Sequence, residues 1–508
     1  MLLTSSQLLA ILNWLQVNAP SAQLSADSRA IAPGDVFIAY PVIGADGRKH
    51  IEHAIQQGAK AVLYEADGFA WTAEWVTPHL AVANLASVAG QIANAYYEQP
   101  DSAMFTIAVT GTNGKTSCTQ WLGNALSRLG EPTAVIGTLG VGLFKNGTHD
   151  EFQSTGYTTP DAVQLQHHLA SMRDAGATAL AIEASSIGLH QGRLTGTHFN
   201  VALFTNFTRD HLDYHGDEAA YESAKTMLFD WPGLQAAVVN LDDDMGLRLV
   251  SHLKRSAPAV SIIGYTVHGK TVDGVAILSA SDIRTTHAGT TFHLDSPYGV
   301  CQLKTQLVGM FNVSNVLGII GVLAAKRFAW RAVTDAVEAL TAVPGRMQQV
   351  GGPEAPLVVI DYAHTPDALE KTLASLRQVA QQRGGQLWCV FGCGGDRDPG
   401  KRPQMGAIAL AADHVVVTSD NPRSEEPGSI IAQIVAGMSA AKEAPHVFED
   451  RAGAILWAVK HAAKPDVVLL AGKGHEAYQE IKGRKLPFLD ADHAALALAA
   501  RVTMKGGS

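Results

Sequence analysis

The run Phe105-Thr106-Ile107-Ala108-Val109 leads straight into Thr110-Gly111-Thr112-Asn113-Gly114-Lys115-Thr116. Its first five residues are mostly apolar on both faces, the pattern of a strand buried inside a parallel sheet. Residues 116–129 then read as a helix. A glycine-rich turn between strand and helix aims backbone N–H groups and a positive helix end at phosphate. Gly111, Thr112, Asn113, Gly114 and Ser117 would cradle a nucleotide, Lys115 would meet the β/γ oxygens, and the Thr116 hydroxyl would bind Mg²⁺. The strict pattern wants glycine at 109, where Val109 stands, so this is a shorter variant, G-x-x-G-K-T. Its position directly after an apolar strand favours nucleotide binding over a chance turn.

Similar buried-strand runs follow at 134–136, 179–182, 201–204 and 237–239, separated by helical stretches. Between 272 and 307 the pattern becomes period-two, an antiparallel excursion before a helix at 312–325. Upstream, apolar runs at 36–39, 61–64 and 80–82 and a helical stretch at 50–57 make a small α/β unit. Downstream of Pro344-Gly345-Arg346, strand–helix alternation resumes with runs at 357–360, 386–391, 414–418, 446–448 and 467–470. The expected fold class is α/β in three domains: 1–100, a central P-loop parallel-sheet ATPase domain at 101–343, and a Rossmann-like unit at 344–508. Residues 99–101 read as the first linker.

The length agrees, since 508 residues at about 150 per domain give about three. A formal charge of −9 argues against general nucleic-acid binding but leaves room for anionic substrates at a local basic cluster. Cys118, Cys301, Cys389 and Cys393 make no disulfide framework and read as four small buried residues in a reducing compartment. The first 20 residues lack a basic start and a cleavage site, and no apolar run reaches about 20 residues. The expectation is a cytoplasmic monomer with neither nucleic-acid nor membrane partner.

Polar clusters close several strands. Glu183-Ala184-Ser185-Ser186 places a carboxylate where a Mg²⁺ ligand belongs, beside the phosphate loop. Asn206 and His211 follow the next strand, and His211 reads as a metal ligand. Lys225, on a helix, reads from composition as a solvated charge. In the third region, clusters at 361–366, 392–398, 419–423 and 472–476 follow four strands and converge on one crevice. They combine Arg with Asp and Glu, which suits a zwitterionic ligand.

Together the loop at 110–116, Glu183-Ala184-Ser185-Ser186, Asn206 with His211, Asn312, Gly345-Arg346 and Asp361-Tyr362-Ala363-His364 resemble the ATP-dependent Mur ligases of peptidoglycan synthesis, over nearly the whole chain. Asp420-Asn421-Pro422-Arg423 resembles the members that add meso-2,6-diaminopimelate to UDP-N-acetylmuramoyl-L-alanyl-D-glutamate. The resemblance implies that Asn312, Arg346 and Asp361 contact ATP. It implies that Ser28, Gly44 and Ala45 meet the uridine nucleotide, and that Thr158, Thr159, Ser185, Gln191 and Arg193 face the muramyl dipeptide. Arg397, Asp420, Asn421, Pro422, Arg423, Gly472 and Glu476 fall on the diaminopimelate pocket. It makes Lys115, Lys225 and His211 catalytic and implies a carbamylated Lys225. Mg²⁺ would then be held by Thr116, Glu183, His211 and that carbamate.

Alternatives at this stage are a lysine-adding sister ligase, disfavoured by Arg423, and a folylpolyglutamate synthase, which does not need the pattern at 420–423. A P-loop regulatory switch is a third. A nicotinamide dehydrogenase is excluded, because neither large α/β unit has G-x-G-x-x-G after its first strand.

Overall fold

The computed structural model describes residues 3–286, 288–351, 354–441 and 444–505. Three sheets dominate the described residues. The first runs Leu24–Ser25, Val36–Ala39, Ala61–Glu65, His79–Val82, all parallel. Helices Ser5–Asn18 and Leu85–Tyr96 cover one face through Ile11, Leu15, Val88 and Ile92. The first helix starts at a capping box, Thr4 with Gln7, which satisfies two backbone donors that would otherwise be orphaned.

The second sheet has eleven strands. Seven neighbours run parallel, in the order Thr133–Gly137, Ala179–Glu183, Phe105–Thr110, Val201–Phe204, Ala236–Asn240, Ser261–Thr266, Ala276–Thr286. Gly289–Asp295 and Cys301–Thr305 extend it antiparallel on one side, and Gly140–Lys145 and Thr148–His149 on the other. Helices Lys115–Arg128 and Met310–Ala325 bury one face, while Ala162–Asp174 and Asp244–Ser256 bury the other. Because Phe105–Thr110 lies between Ala179–Glu183 and Val201–Phe204, the turns after residues 110, 183 and 204 stand side by side.

The third sheet runs Gln348–Val350, Leu357–Asp361, Val467–Ala471, Leu387–Phe391, His414–Thr418, His446–Phe448, with only the first strand antiparallel. The four strands that carry polar clusters are therefore consecutive neighbours. That adjacency, rather than sequence order, brings residues 361–366, 392–398, 419–423 and 472–476 together.

The α/β class and the parallel sheets agree with the sequence reading, and several details differ. The strand Ser261–Thr266 was not read, because Gly264 interrupts its apolar run. The hairpin Tyr478–Ile481/Arg484–Pro487 was also missed; Lys482 and Gly483, at φ 49° and 74°, form its turn. Cys301 is only half-buried, because it opens the outermost strand of the sheet, whereas Cys118, Cys389 and Cys393 are buried. Residues 99–101 are no loose linker. Asp101 is 1% exposed, and its carboxylate accepts from Asn94 Nδ2 at 2.7 Å and from the His198 N–H at 2.6 Å.

Beneath the third sheet's carboxyl edge, Arg451 and Asp490 are both fully buried. Arg451 Nε and Nη2 donate to the two Asp490 oxygens at 2.8 and 2.7 Å, and Nη2 also reaches the Ala471 carbonyl at 3.0 Å. Breaking such a pair strands a charge away from water. Asp490→Ala should cost about 3–5 kcal/mol, read as an earlier urea transition of Trp388 fluorescence in the same sheet. A transition unchanged from wild type would refute that role.

Candidate functional site

The phosphate loop is built by close approach. Gly111 has φ +143°, and a Cβ there would sit 1.9 Å from Thr205 Oγ1. Thr205 cannot swing away freely, because its hydroxyl donates to the Asn113 carbonyl at 2.6 Å. Asn206 grips the same loop twice with its amide. Its Oδ1 accepts from the Asn113 N–H and its Nδ2 donates to the Asn113 carbonyl, both at 3.0 Å. Asn206 thus shapes the loop that its neighbouring strand carries.

Lys115 Nζ donates to the carbonyls of Gly111 and Thr112 at 2.8 and 2.9 Å. Lys225 Nζ donates to the same Gly111 carbonyl at 2.9 Å and lies 4.3 Å over the Tyr221 ring. Lys225 is 1% exposed, which overturns its reading as a solvated charge. Burial, and next the charge of Lys115, push its pKa well below the ordinary lysine value. Burial also lowers that of Lys115.

A cavity of about 470 Å³ opens beside this loop. Asn113, Gly114, Ser117, Asn312, Arg346 and Asp361 line it, whereas Gly111, Thr112, Lys115 and Thr116 do not. Arg346 reaches across from the third region, and its Nη2 donates to the Thr116 hydroxyl at 3.1 Å. The Asp361 carboxylate accepts the N–H groups of Met347 and Ala363 at 2.8 and 2.9 Å, so it braces the Arg346 turn as well as lining the cavity.

A second cavity, about 580 Å³, lies between Asp210 and His211 of the central region and the four clusters of the third. Arg397, Asp420, Asn421, Arg423, Gly472 and Glu476 all line it; Pro422 does not, being buried with its carbonyl accepting the Glu425 N–H. His364 and Lys401, singled out by no motif role, line it too. Tyr362 borders both cavities, with the Arg346 guanidinium 4.3 Å over its ring. Arg423 adopts left-handed backbone, φ 52°. It is already partnered. Its Nη1 donates to the Gly395 carbonyl at 2.7 Å, and its Nε lies 3.4 Å from Glu480. A substrate carboxylate would therefore have to share or displace these two partners. The missed hairpin supplies Glu480.

Glu183 ends its strand 1% exposed, with its oxygens accepting from the Thr138 N–H and hydroxyl at 2.8 and 3.2 Å. His211 pairs loosely with Asp210 at 3.5 Å. Among the described residues no three His, Cys, Asp or Glu side chains gather as a metal cage. The Thr116 hydroxyl and the Glu183 carboxylate are hard oxygen donors, the class that Mg²⁺ takes alongside waters and substrate oxygens.

Three family signatures match the chain: "Mur ligase family, catalytic domain" over 22–97, "Mur ligase middle domain" over 109–323, and "Mur ligase, glutamate ligase domain" over 345–474. The UDP-N-acetylmuramoyl-L-alanyl-D-glutamate–2,6-diaminopimelate ligase of Janthinobacterium sp. (strain Marseille) is 69% identical over 507 residues, 100% of each chain. The chain belongs to the Mur ligase family. The protein of the same name from Ralstonia nicotianae is 51% identical, covering 98% of this Mur ligase and 97% of its own length. A solved structure of that name is 37% identical with TM-score 0.66, covering 96% of this chain and 99% of the other.

In this Mur ligase the remaining motif residues form two groups, one beside Glu183 of the second sheet and one at the edge of the first. Thr159 Oγ1 donates to the Glu183 carbonyl at 2.8 Å and lies 2.9 Å from Ser185 Oγ, which caps the helix Ser186–His190. Arg193 donates to Gln191 Oε1 at 2.9 Å and to the Thr159 carbonyl at 2.8 Å, and stacks 4.9 Å over Tyr157. Thr158 Oγ1 lies 3.1 Å from the Thr138 hydroxyl. Ser28, buried in a turn, and the exposed Gly44-Ala45 tip follow two parallel neighbouring strands of the first sheet. The charges of Asp161 and Arg193 act on Tyr40, so this edge faces the Arg193 cluster.

Gly111→Ala should abolish the loop's shape by forcing Cβ onto Thr205. Calorimetric titration with ADP should show affinity falling by about tenfold or more, the scale of about 1.4 kcal/mol of strain. Unchanged affinity would show that the close approach is not needed.

Proposed function

We propose that this ATP-dependent ligase joins meso-2,6-diaminopimelate to the D-glutamate γ-carboxylate of UDP-N-acetylmuramoyl-L-alanyl-D-glutamate. The observation that carries the reading is the pair of cavities on either side of Tyr362. One lies against the phosphate loop; the other is lined by cations (Arg397, Lys401, Arg423) and anions (Asp420, Glu476). A single wall between them suits a reaction in which a phosphorylated carboxylate meets an amine.

A free carboxylate is a poor electrophile, so the γ-phosphoryl group of ATP first passes to it, giving an acyl phosphate. The amine then attacks the carbonyl carbon and phosphate leaves. The chain's part is positioning and charge neutralisation. Lys115 exchanges its two carbonyl partners for phosphate oxygens, and Arg346 supplies a second positive group beside Thr116. Thr116 and Glu183, with His211 and a carbamate on Lys225, would hold Mg²⁺, which neutralises phosphate charge. The depressed pKa of Lys225 supports the carbamate, because only a neutral amine adds to CO₂. Ser28 and the Gly44-Ala45 tip are assigned to the uridine nucleotide, and Thr158, Gln191 and Arg193 to the muramyl dipeptide. Thr159 and Ser185 use their hydroxyls on each other and shape that site. The location follows as the cytoplasm, where ATP and nucleotide-linked precursors are available.

Arg423 is assigned to the carboxylate that distinguishes diaminopimelate from lysine. Phosphate release should require UDP-N-acetylmuramoyl-L-alanyl-D-glutamate and meso-diaminopimelate and be weak with L-lysine. Arg423→Ala should raise the KM for diaminopimelate roughly ten- to hundredfold, the scale of a charged hydrogen bond, with the KM for ATP little changed. Release driven by lysine, or by neither amino acid, would overturn the assignment.

A further inference from the structure

Lys473 is fully buried and does not line the acceptor cavity, yet it touches two groups that do. Its Nζ donates to Glu476 Oε2 and Asn421 Oδ1, each at 3.2 Å, and to the Tyr478 carbonyl at 2.6 Å. An ammonium group has three donors, and all three are used. Asn421 is fixed in turn. Its Oδ1 also accepts the Glu480 N–H at 2.9 Å, so its Nδ2 must face Glu476 Oε2, to which it donates at 2.7 Å. Through Tyr478 the same ammonium group anchors the hairpin. The hairpin in turn holds Arg423 between two backbone bonds, Arg423 N–H to the Glu480 carbonyl and Lys482 N–H to the Arg423 carbonyl.

We propose that Lys473 is a positioning residue of the acceptor pocket: it supplies the counter-charge of Glu476 and aims Glu476 and Asn421 at the ammonium end of the incoming amino acid. This rests on the assignment of that cavity to the amino acid. Glu476 needs such a partner. Burial first, and then the like charge of Asp420, raise its pKa, while Lys473 opposes both. Tyr362 and Arg451 also act on Glu476, the latter committed to Asp490, and Asp210, His211, His364, Arg397, Asp398, Lys401 and Arg423 line the same cavity. Without Lys473 nothing would offset burial and Asp420, so the carboxyl group would hold a proton more readily and lose the negative charge that pairs with a substrate ammonium group.

The test is Lys473→Met in the full-length enzyme, with steady-state kinetics from pH 6.5 to 8.5. The KM for meso-diaminopimelate should rise about tenfold or more at pH 6.5 and recover as pH climbs, since deprotonation restores the anion. The KM for ATP should stay within about twofold at every pH. Glu476→Gln should be impaired without that pH dependence, and Lys473→Met/Glu476→Gln should match it. A pH-independent KM in Lys473→Met, or a double variant much worse than Glu476→Gln, would overturn the proposal and leave Lys473 a purely structural residue. If Lys473→Met does not fold, isotope-edited infrared spectroscopy of the wild type decides. A carboxylate band for Glu476 at pH 6.5 agrees with the proposal, and a protonated carboxyl band refutes it. Wild-type turnover that does not depend on diaminopimelate would instead refute the functional reading, which separates the two failures.

Discussion

Two lysine side chains sharing the carbonyl of Gly111 set the terms for the centre of this molecule. Neither is surrounded by bulk water, and like charges so close repel strongly at low dielectric. Among the described residues no carboxylate bonds to either Nζ; each leans on backbone carbonyls instead. Lys115, with Arg346 reaching Thr116 beside it, gives the loop a positive side suited to anions, and a triphosphate is a dense one. The neighbouring strands answer the same constraint. Thr205 and Asn206 hold the loop tightly enough that its carbonyls stay pointed at the lysines.

The second consequence is spatial. Arg346 belongs to the third region by sequence and to the phosphate loop by contact. Asp361 braces its turn, and Tyr362, the next residue, forms the wall between the cavities. One strand end therefore borders both cavities. If they take the nucleotide and the amino acid as proposed, placement of both depends on the same few residues at 345–347 and 361–364.

Much of this was legible in the sequence because it follows from local rules. A continuous apolar run means a strand buried on both faces, and polar residues directly after such runs fall on one sheet edge. That is why the clusters at 361–366, 392–398, 419–423 and 472–476 could be placed together without coordinates. What stayed hidden depends on partners remote in sequence. From composition Lys225 looks like any helical lysine; the family resemblance singles it out, but its burial shows only once its partner, Gly111, is found 114 residues away. Lys473 and Glu480 carry no motif of their own, and their roles exist only through Asn421, Glu476 and Arg423. The hairpin at 478–487 had a usable signal in Lys482-Gly483, but its polar strands mask the alternation. Motif resemblance located Thr159 and Ser185 but could not show that their hydroxyls face each other.

The left-handed backbone at Arg423 also bears on how such a pocket can diversify. At φ 52° a β-branched side chain is strained, whereas glycine, asparagine and unbranched side chains are tolerated better. The hairpin's two backbone bonds hold that conformation whatever side chain is present. Substitutions that alter the chosen amino acid are thus filtered by main-chain shape before side-chain chemistry is tested. Valine, isoleucine and threonine are poor first steps at this position, and drift in specificity is channelled through a short list of residues.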